Sequence, residues 1–190
     1  MSTLDEADTE HPVKPFPLHL PYVAPIWEAL EAARRVVWAK SRQMIATWEL
    51  ITYCVWKARF TPHQAIYWQA QKDDDANSVV ALPGQAEGRA QFIESHLPEF
   101  LRVKCKPSEG RLVYPNGSFI QALAGGANQI RGRVFSIYVG VEFAFQEEAR
   151  GVYTSIAPLV QKGSKIILVS TPNGSPPNTF AALYHGVLGG

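Results

Sequence analysis

Apolar residues fall in short runs along this chain, and their spacing predicts helices and strands in alternation. Ile26, Trp27 and Leu30 share one face of a helix predicted over Ala24 to Arg34. Val36-Val37-Trp38 is a short strand-like run, followed by the polar turn Lys40-Ser41-Arg42-Gln43. Leu50, Ile51, Cys54 and Val55 then repeat at helical spacing within Thr47 to Ala58, which gives a strand, a turn and a helix. Ala65-Ile66-Tyr67-Trp68 reads as a second strand, and Asp73-Asp74-Asp75 as a helix start, where carboxylates suit the helix dipole. Helical segments are predicted over 74–82 and 86–101. Arg111 to Leu123 alternates about Pro115-Asn116-Gly117-Ser118, a hairpin signal, and a glycine-rich loop runs from Gly125-Gly126 to Gly132. Phe135 to Val141 is an apolar strand that ends at Glu142, with a helix predicted to begin near Gln146. Lys165 to Ser170 is another buried strand and runs into Thr171-Pro172-Asn173-Gly174. Four short apolar strands separated by helices predict an α/β fold: a largely parallel sheet flanked by helices, with right-handed crossovers. The first 25 residues hold five prolines and little periodicity. Residues 1–24 therefore read as an extended lead-in and 25–190 as one domain.

Composition narrows the classes. The 190 residues include 46% hydrophobic and 18% charged, which suits a packed globular protein. With 18 Lys+Arg against 17 Asp+Glu the chain is not a polycation, so nucleic-acid binding would need a local patch. Cys54 and Cys105 fit no disulfide framework or metal spacing and read as ordinary thiols. No apolar run approaches the length of a membrane span, and the acidic, polar Met1 to Glu10 is unlike a signal peptide, which predicts an intracellular protein.

In parallel sheets the chemistry gathers at the carboxyl ends of strands. Lys40, Ser41, Arg42, Gln43 and Thr47 follow the first strand, Glu142 the third, and Ser170-Thr171 the last. A phosphate-binding loop needs helix-start N–H groups, a lysine and a hydroxyl for Mg²⁺. The strict GxxxxGK[ST] pattern is absent, because Ile45 and Ala46 precede Thr47. On spacing alone, Lys40 and Arg42 read more readily as solvated turn residues than as a nucleotide site. Glu142 is either a carboxylate able to polarise an attacking water or a solvent-facing loop residue. Glu147 and Glu148 read as a solvated helix start. Trp56, Tyr67 and Trp68 are candidates for base stacking or for core packing.

Taken in order, these turns resemble one family. Lys40-Ser41-Arg42-Gln43-Met44-Ile45-Ala46-Thr47-Trp48 resembles the variant Walker A of large terminase subunits, the DNA-packaging motors of tailed phages, whose lysine stands at the front of the loop. Gln129-Ile130-Arg131-Gly132 resembles the Arg-Gly segment upstream of Walker B. Glu142-Phe143-Ala144-Phe145 resembles the tail of Walker B itself, and Ser170-Thr171-Pro172-Asn173-Gly174 the coupling motif. The resemblance implies a P-loop NTPase architecture of the RecA/ASCE type, with ATP and Mg²⁺ as cofactors. It implies that Lys40 contacts the β/γ-phosphates with Ser41 and Gln43 in the same ATP-binding loop, that Arg42 senses the γ-phosphate, and that Thr47 holds Mg²⁺. Glu142 becomes the catalytic carboxylate, Arg131 an arginine finger reaching across a subunit boundary, and Ser170 and Thr171 the coupling residues. Double-stranded DNA, a portal protein, a small terminase subunit and a ring of copies are the implied partners, in the cytoplasm of a bacterial host.

Three positions depart from the family pattern. Val141 replaces the aspartate expected before Glu142, Ile45 a loop glycine, and Val23 an adenine-contacting glutamine. They motivate a second reading: a terminase-like domain without turnover that serves as a docking or DNA-gripping module. The chain stops at Leu188-Gly189-Gly190 with no later acidic cluster, so it reads as an incomplete ATPase portion without the family's nuclease domain. A helicase-type motor is disfavoured by the lack of an Asp-Glu-Ala-His-like box.

Overall fold

Each long apolar run becomes either a strand with one face in each of two cores or a helix that covers one of them, and that partition is what assembles the sheet. The computed structural model describes residues 2–4, 8–42, 44–81, 87–174 and 178–187. Its main sheet contains β3 (Arg35–Ala39), β4 (Ala65–Gln69), β5 (Lys106–Ser108), β6 (Arg111–Val113), β7 (Phe119–Leu123), β8 (Ile137–Val141) and β9 (Lys165–Ser170), in the spatial order β3-β9-β8-β4-β7-β6-β5. The first five in that order run parallel, and β6 and β5 extend the sheet antiparallel. The predicted largely parallel α/β sheet is thus present, with a fifth parallel member: β7, one arm of the predicted hairpin, pairs with β4. Before the sheet, β1 (Ser2–Leu4) and β2 (Val13–Pro15) pair with each other.

Alternation along the strands sets the layers. Ile66, Trp68, Ile137, Val139, Ile167 and Val169 face one core. There they pack under α1 (Val23–Ala32), α2 (Ala46–Phe60), α3 (Asp73–Val80) and α4 (Arg89–Ser95). Tyr67, Tyr138, Ile166 and Leu168 face the other core, under α5 (Ala127–Ile130), α6 (Ala149–Val160) and α7 (Thr179–Tyr184). Strands buried on both faces read as continuous apolar runs, which is why their period is weak in the sequence. Tyr67 and Trp68 are buried in these cores, so neither is available to stack a base.

Element limits differ from expectation where local chemistry intervenes. The helix predicted over 86–101 is α4 alone, followed by Pro98 and a separate 3₁₀ turn at Glu99–Leu101; proline blocks continuation. The helix predicted near Gln146 starts later, at Ala149, because a 3₁₀ turn at Phe143–Phe145 intervenes. Arg59 Nη1 and Glu94 Oε2, 2.5 Å apart and both buried, tie α2 to α4. Asn116 at the hairpin tip donates from Nδ2 to Ala58 O (2.8 Å) and Arg59 O (3.1 Å), satisfying carbonyls at the end of α2.

Candidate functional site

The strand order places β3, β9 and β8 side by side, so their carboxyl ends form one edge. Lys40 leaves β3 while its backbone N–H still donates to Ser170 O of β9 (3.0 Å), which fixes the start of its side chain. Lys40 Nζ lies 2.8 Å from Glu142 Oε1, with only 12% of the lysine side chain exposed against 44% of the glutamate. Glu142 is in the left-handed region (φ 46°, ψ 43°), rare for a residue with a side chain. Strain of this kind costs about 1 kcal/mol or more and persists where surrounding contacts over-determine it. Four contacts meet the carboxylate here. Besides Lys40, Glu142 Oε2 accepts from the Thr171 hydroxyl (3.1 Å), the Thr171 N–H (3.3 Å) and the Ser170 hydroxyl (3.4 Å).

Partial burial by itself raises the Glu142 carboxyl; the Lys40 bond and charge, together with the Thr171 donors, outweigh it and hold the group below its ordinary value. The group is therefore ionised at neutral pH. Ser170 also accepts from Ala144 N–H (3.1 Å), which fixes the 3₁₀ turn after Glu142. Asn173 Nδ2 donates to Ala144 O (3.4 Å) and Asn178 Nδ2 to Asn173 O (3.1 Å), so the segment after β9 is laced to both the turn and α7.

Four of the residues singled out in the sequence are thus brought together: Lys40, Glu142, Ser170 and Thr171. Others stand apart. Ser41 and Arg42 are exposed on the loop, and Gln43 lies outside the described residues. Thr47 is half-buried in the first turn of α2, which starts at Ala46 behind Ile45. Among the described residues, Arg42 and Thr47 make no hydrogen bond to Lys40 or Glu142. Arg131 follows α5 and is exposed in a shallow depression shared with Asn128, Glu147, Glu148 and Arg150. Val141 packs against the α2-side core, so the position before Glu142 directs its side chain toward the helix of the loop.

Three polar residues escaped the sequence reading. Glu148 is no mere solvated helix start: its Oε2 accepts from Ala127 N–H at 2.7 Å. Gln69, at the end of β4, is fully buried and bonded on both ends of its amide. Glu49, in the first turns of α2, is fully buried, and neither carboxylate oxygen has a hydrogen-bond partner among the described residues. Glu148 stands three residues after the 3₁₀ turn with no motif around it, and Gln69 and Glu49 sit inside apolar runs; a polar residue interrupting such a run is the one available signal.

The fold is that of phage large-terminase ATPase domains. The ATPase domain of the Thermus phage P74-26 large terminase aligns with a TM-score of 0.57 at 18% identity, over 76% of this chain and 62% of that one. An arginine-to-alanine variant of the same domain gives 0.64 at 18% identity, over 88% of this chain and 68% of that one. The HK97 bacteriophage large terminase gives 0.65 at 12% identity, over 93% of this chain and 37% of that one. This chain accordingly spans less than two thirds of the first of these structures and well under half of the HK97 protein. At such identities the likeness is one of fold. No family profile matches the chain.

Proposed function

We propose that the chain is the ATP-hydrolysing motor domain of a large terminase, coupling hydrolysis to translocation of double-stranded DNA into a capsid. The observation that carries this reading is the Lys40–Glu142–Thr171 constellation at the carboxyl ends of three adjacent strands, on the fold just described. Phosphoryl transfer needs positioning and charge neutralisation above all. Lys40 is the cation placed to leave Glu142 for the β/γ-phosphates. Once released, the ionised Glu142 orients the attacking water. Thr171 shares that carboxylate, so any change in its charge or position is felt directly by the coupling segment. Ser41, Arg42 and Gln43 complete the loop around the phosphates, and Arg131 is presented to the nucleotide of a second copy.

Thr47 would offer its hydroxyl to a metal carried in by the nucleotide; the described residues contain no group of three or more His, Cys, Asp or Glu side chains able to hold an ion, so phosphates and water would complete the sphere. Mg²⁺ held in this way would neutralise charge on the transferring phosphoryl group. No helix among the described residues is long and apolar enough to cross a membrane. A site in the cytoplasm of a bacterial host, with a portal protein, a small terminase subunit and further copies in a ring as partners, goes with the motor reading.

Val141 favours a second reading, a docking or DNA-gripping module without turnover. Its apolar side chain occupies the place on the α2 side where an aspartate would add a carboxylate. Calorimetric titration of an ATP analogue with Mg²⁺ tests the first reading. Lys40→Ala should weaken binding at least tenfold, about 1.4 kcal/mol, and equal binding by parent and variant would remove the loop's role. Steady-state hydrolysis tests the second, which requires Val141→Asp to turn over ATP where the parent does not.

A further inference from the structure

Arg131 and Arg133 leave the same turn, yet only Arg133 is tied down. Its Nε donates to Gln129 O at 2.7 Å, and its guanidinium lies 5.4 Å from the centre of the Tyr67 ring. Arg131 is exposed, and among the described residues its side chain makes no hydrogen bond or ion pair. A free guanidinium on a surface loop would ordinarily sample many directions, because a long side chain retains its rotamer entropy until something orders it.

The backbone beneath Arg131 is anchored to the middle of the sheet. Gln69 Nε2 donates to Ala124 O (2.6 Å) and to Gly126 O (3.0 Å). Its Oε1 accepts from the hydroxyl of Tyr138 on the neighbouring strand β8, and both side chains are fully buried. Glu148 Oε2 then accepts the Ala127 N–H at the start of α5, and Ile130 is buried in the core beside Arg131. A Cβ on Gly125 would stand 2.8 Å from Gln71 O, so the turn lies directly on the end of β4. Gly126 has φ 108°, a conformation that side chains rarely adopt, and from there the chain turns into α5. A buried amide costs free energy unless its groups are bonded. Here both ends are, and what they hold is the turn that carries Arg131. A leucine would fill the same volume but could not grip two carbonyls.

We infer that Gln69 is a positioning residue for Arg131: through the carbonyls of Ala124 and Gly126, with Tyr138 orienting its amide and Glu148 capping α5, it sets the direction in which the Arg131 guanidinium leaves the molecule. This rests on the reading that Arg131 completes the nucleotide site of a second copy. The partner addressed is therefore the phosphate end of a nucleotide bound to another copy of this chain, and Gln69 touches neither nucleotide nor reacting atoms.

The test uses the full chain in mixed assemblies and follows ATP hydrolysis. Arg131→Ala alone should be inactive but should be rescued by a Glu142→Gln copy, which cannot hydrolyse yet still supplies Arg131. Gln69→Leu should behave in the same way. Alone, its kcat falls roughly 100-fold, the scale of a reacting group misplaced by about 1 Å, while KM stays within about twofold. Rescue by the Glu142→Gln copy separates lost presentation of Arg131 from general damage. Glu148→Gln, which keeps the acceptor, should remain close to the parent, and Glu148→Ala should fall toward Gln69→Leu. If Gln69→Leu does not fold, Tyr138→Phe, which frees the amide while keeping the ring, takes its place under the same criteria. Impaired Arg131→Ala beside an unimpaired Gln69→Leu would overturn the positioning role alone, as would a Gln69→Leu defect that the second copy does not rescue. Parent and Arg131→Ala hydrolysing equally would remove the underlying reading and the proposal with it.

Discussion

Glu142 at the strand-end cluster and Glu49 inside α2 are the same residue in opposite surroundings. Glu142 is partly exposed and meets one cation and three hydrogen-bond donors, so its charged form is favoured. Glu49 is fully buried with no hydrogen-bond partner on either oxygen among the described residues, and burial pushes its carboxyl up to about 7. Thr52, one turn further along α2, likewise has a buried hydroxyl without a partner among the described residues. Burial alone raises a carboxyl, whereas convergent donors from different strands keep it charged. Glu94 stands between the two: burial raises it, and the charge and hydrogen bond of Arg59 offset only part of that rise.

The contrast can be tested by removing each environment in turn. Glu142→Gln should lower hydrolysis on the order of 1,000-fold, within the range for a lost acid–base group, and change unfolding free energy by less than about 1 kcal/mol. A single-turnover assay beside a urea melt measures both, and a large stability loss without a rate loss would make Glu142 a structural residue. Arg59→Ala should cost about 3 kcal/mol in urea unfolding, because it leaves the Glu94 carboxylate buried without its cation. A loss below about 1 kcal/mol would mean that Glu94 is neutral and the pair contributes little.

The smallest expected effect is tied to pH. Folded Glu49 titrates near 7 against an ordinary value of 4.5, so between these values the folded chain holds the extra proton. Stability from this group is full below about pH 4.5 and is lost as pH rises through 7. Glu49→Gln should therefore stabilise the fold by about 2 kcal/mol at pH 8 and by almost nothing at pH 4.5, with nucleotide binding unchanged. Glu142 has the opposite sign: its contribution is present above its ordinary value and lost as pH falls below that. An identical gain from Glu49→Gln at both pH values would show that Glu49 is not the titrating group.

The run Lys165 to Ser170, the hairpin about Asn116-Gly117 and the strand–turn–helix at 36–58 are legible in the sequence because each depends on neighbours a few residues apart. The same holds for the polar residues that close each strand, and so for the α/β class and the candidates Lys40, Glu142, Ser170 and Thr171. Which strands lie side by side is another matter. Lys40 and Glu142 are 102 positions apart, and they meet only because β9 and β8 insert between β3 and β4. Periodicity reports which face of an element is apolar, not which element covers it, since strand pairing uses backbone groups that every residue carries. For that reason the buried solitude of Glu49, the grip of Gln69 on the turn below Arg131 and the bond from Glu148 to α5 were decided by the tertiary structure alone. Each of them depends on groups distant in the chain, where local spacing has no influence.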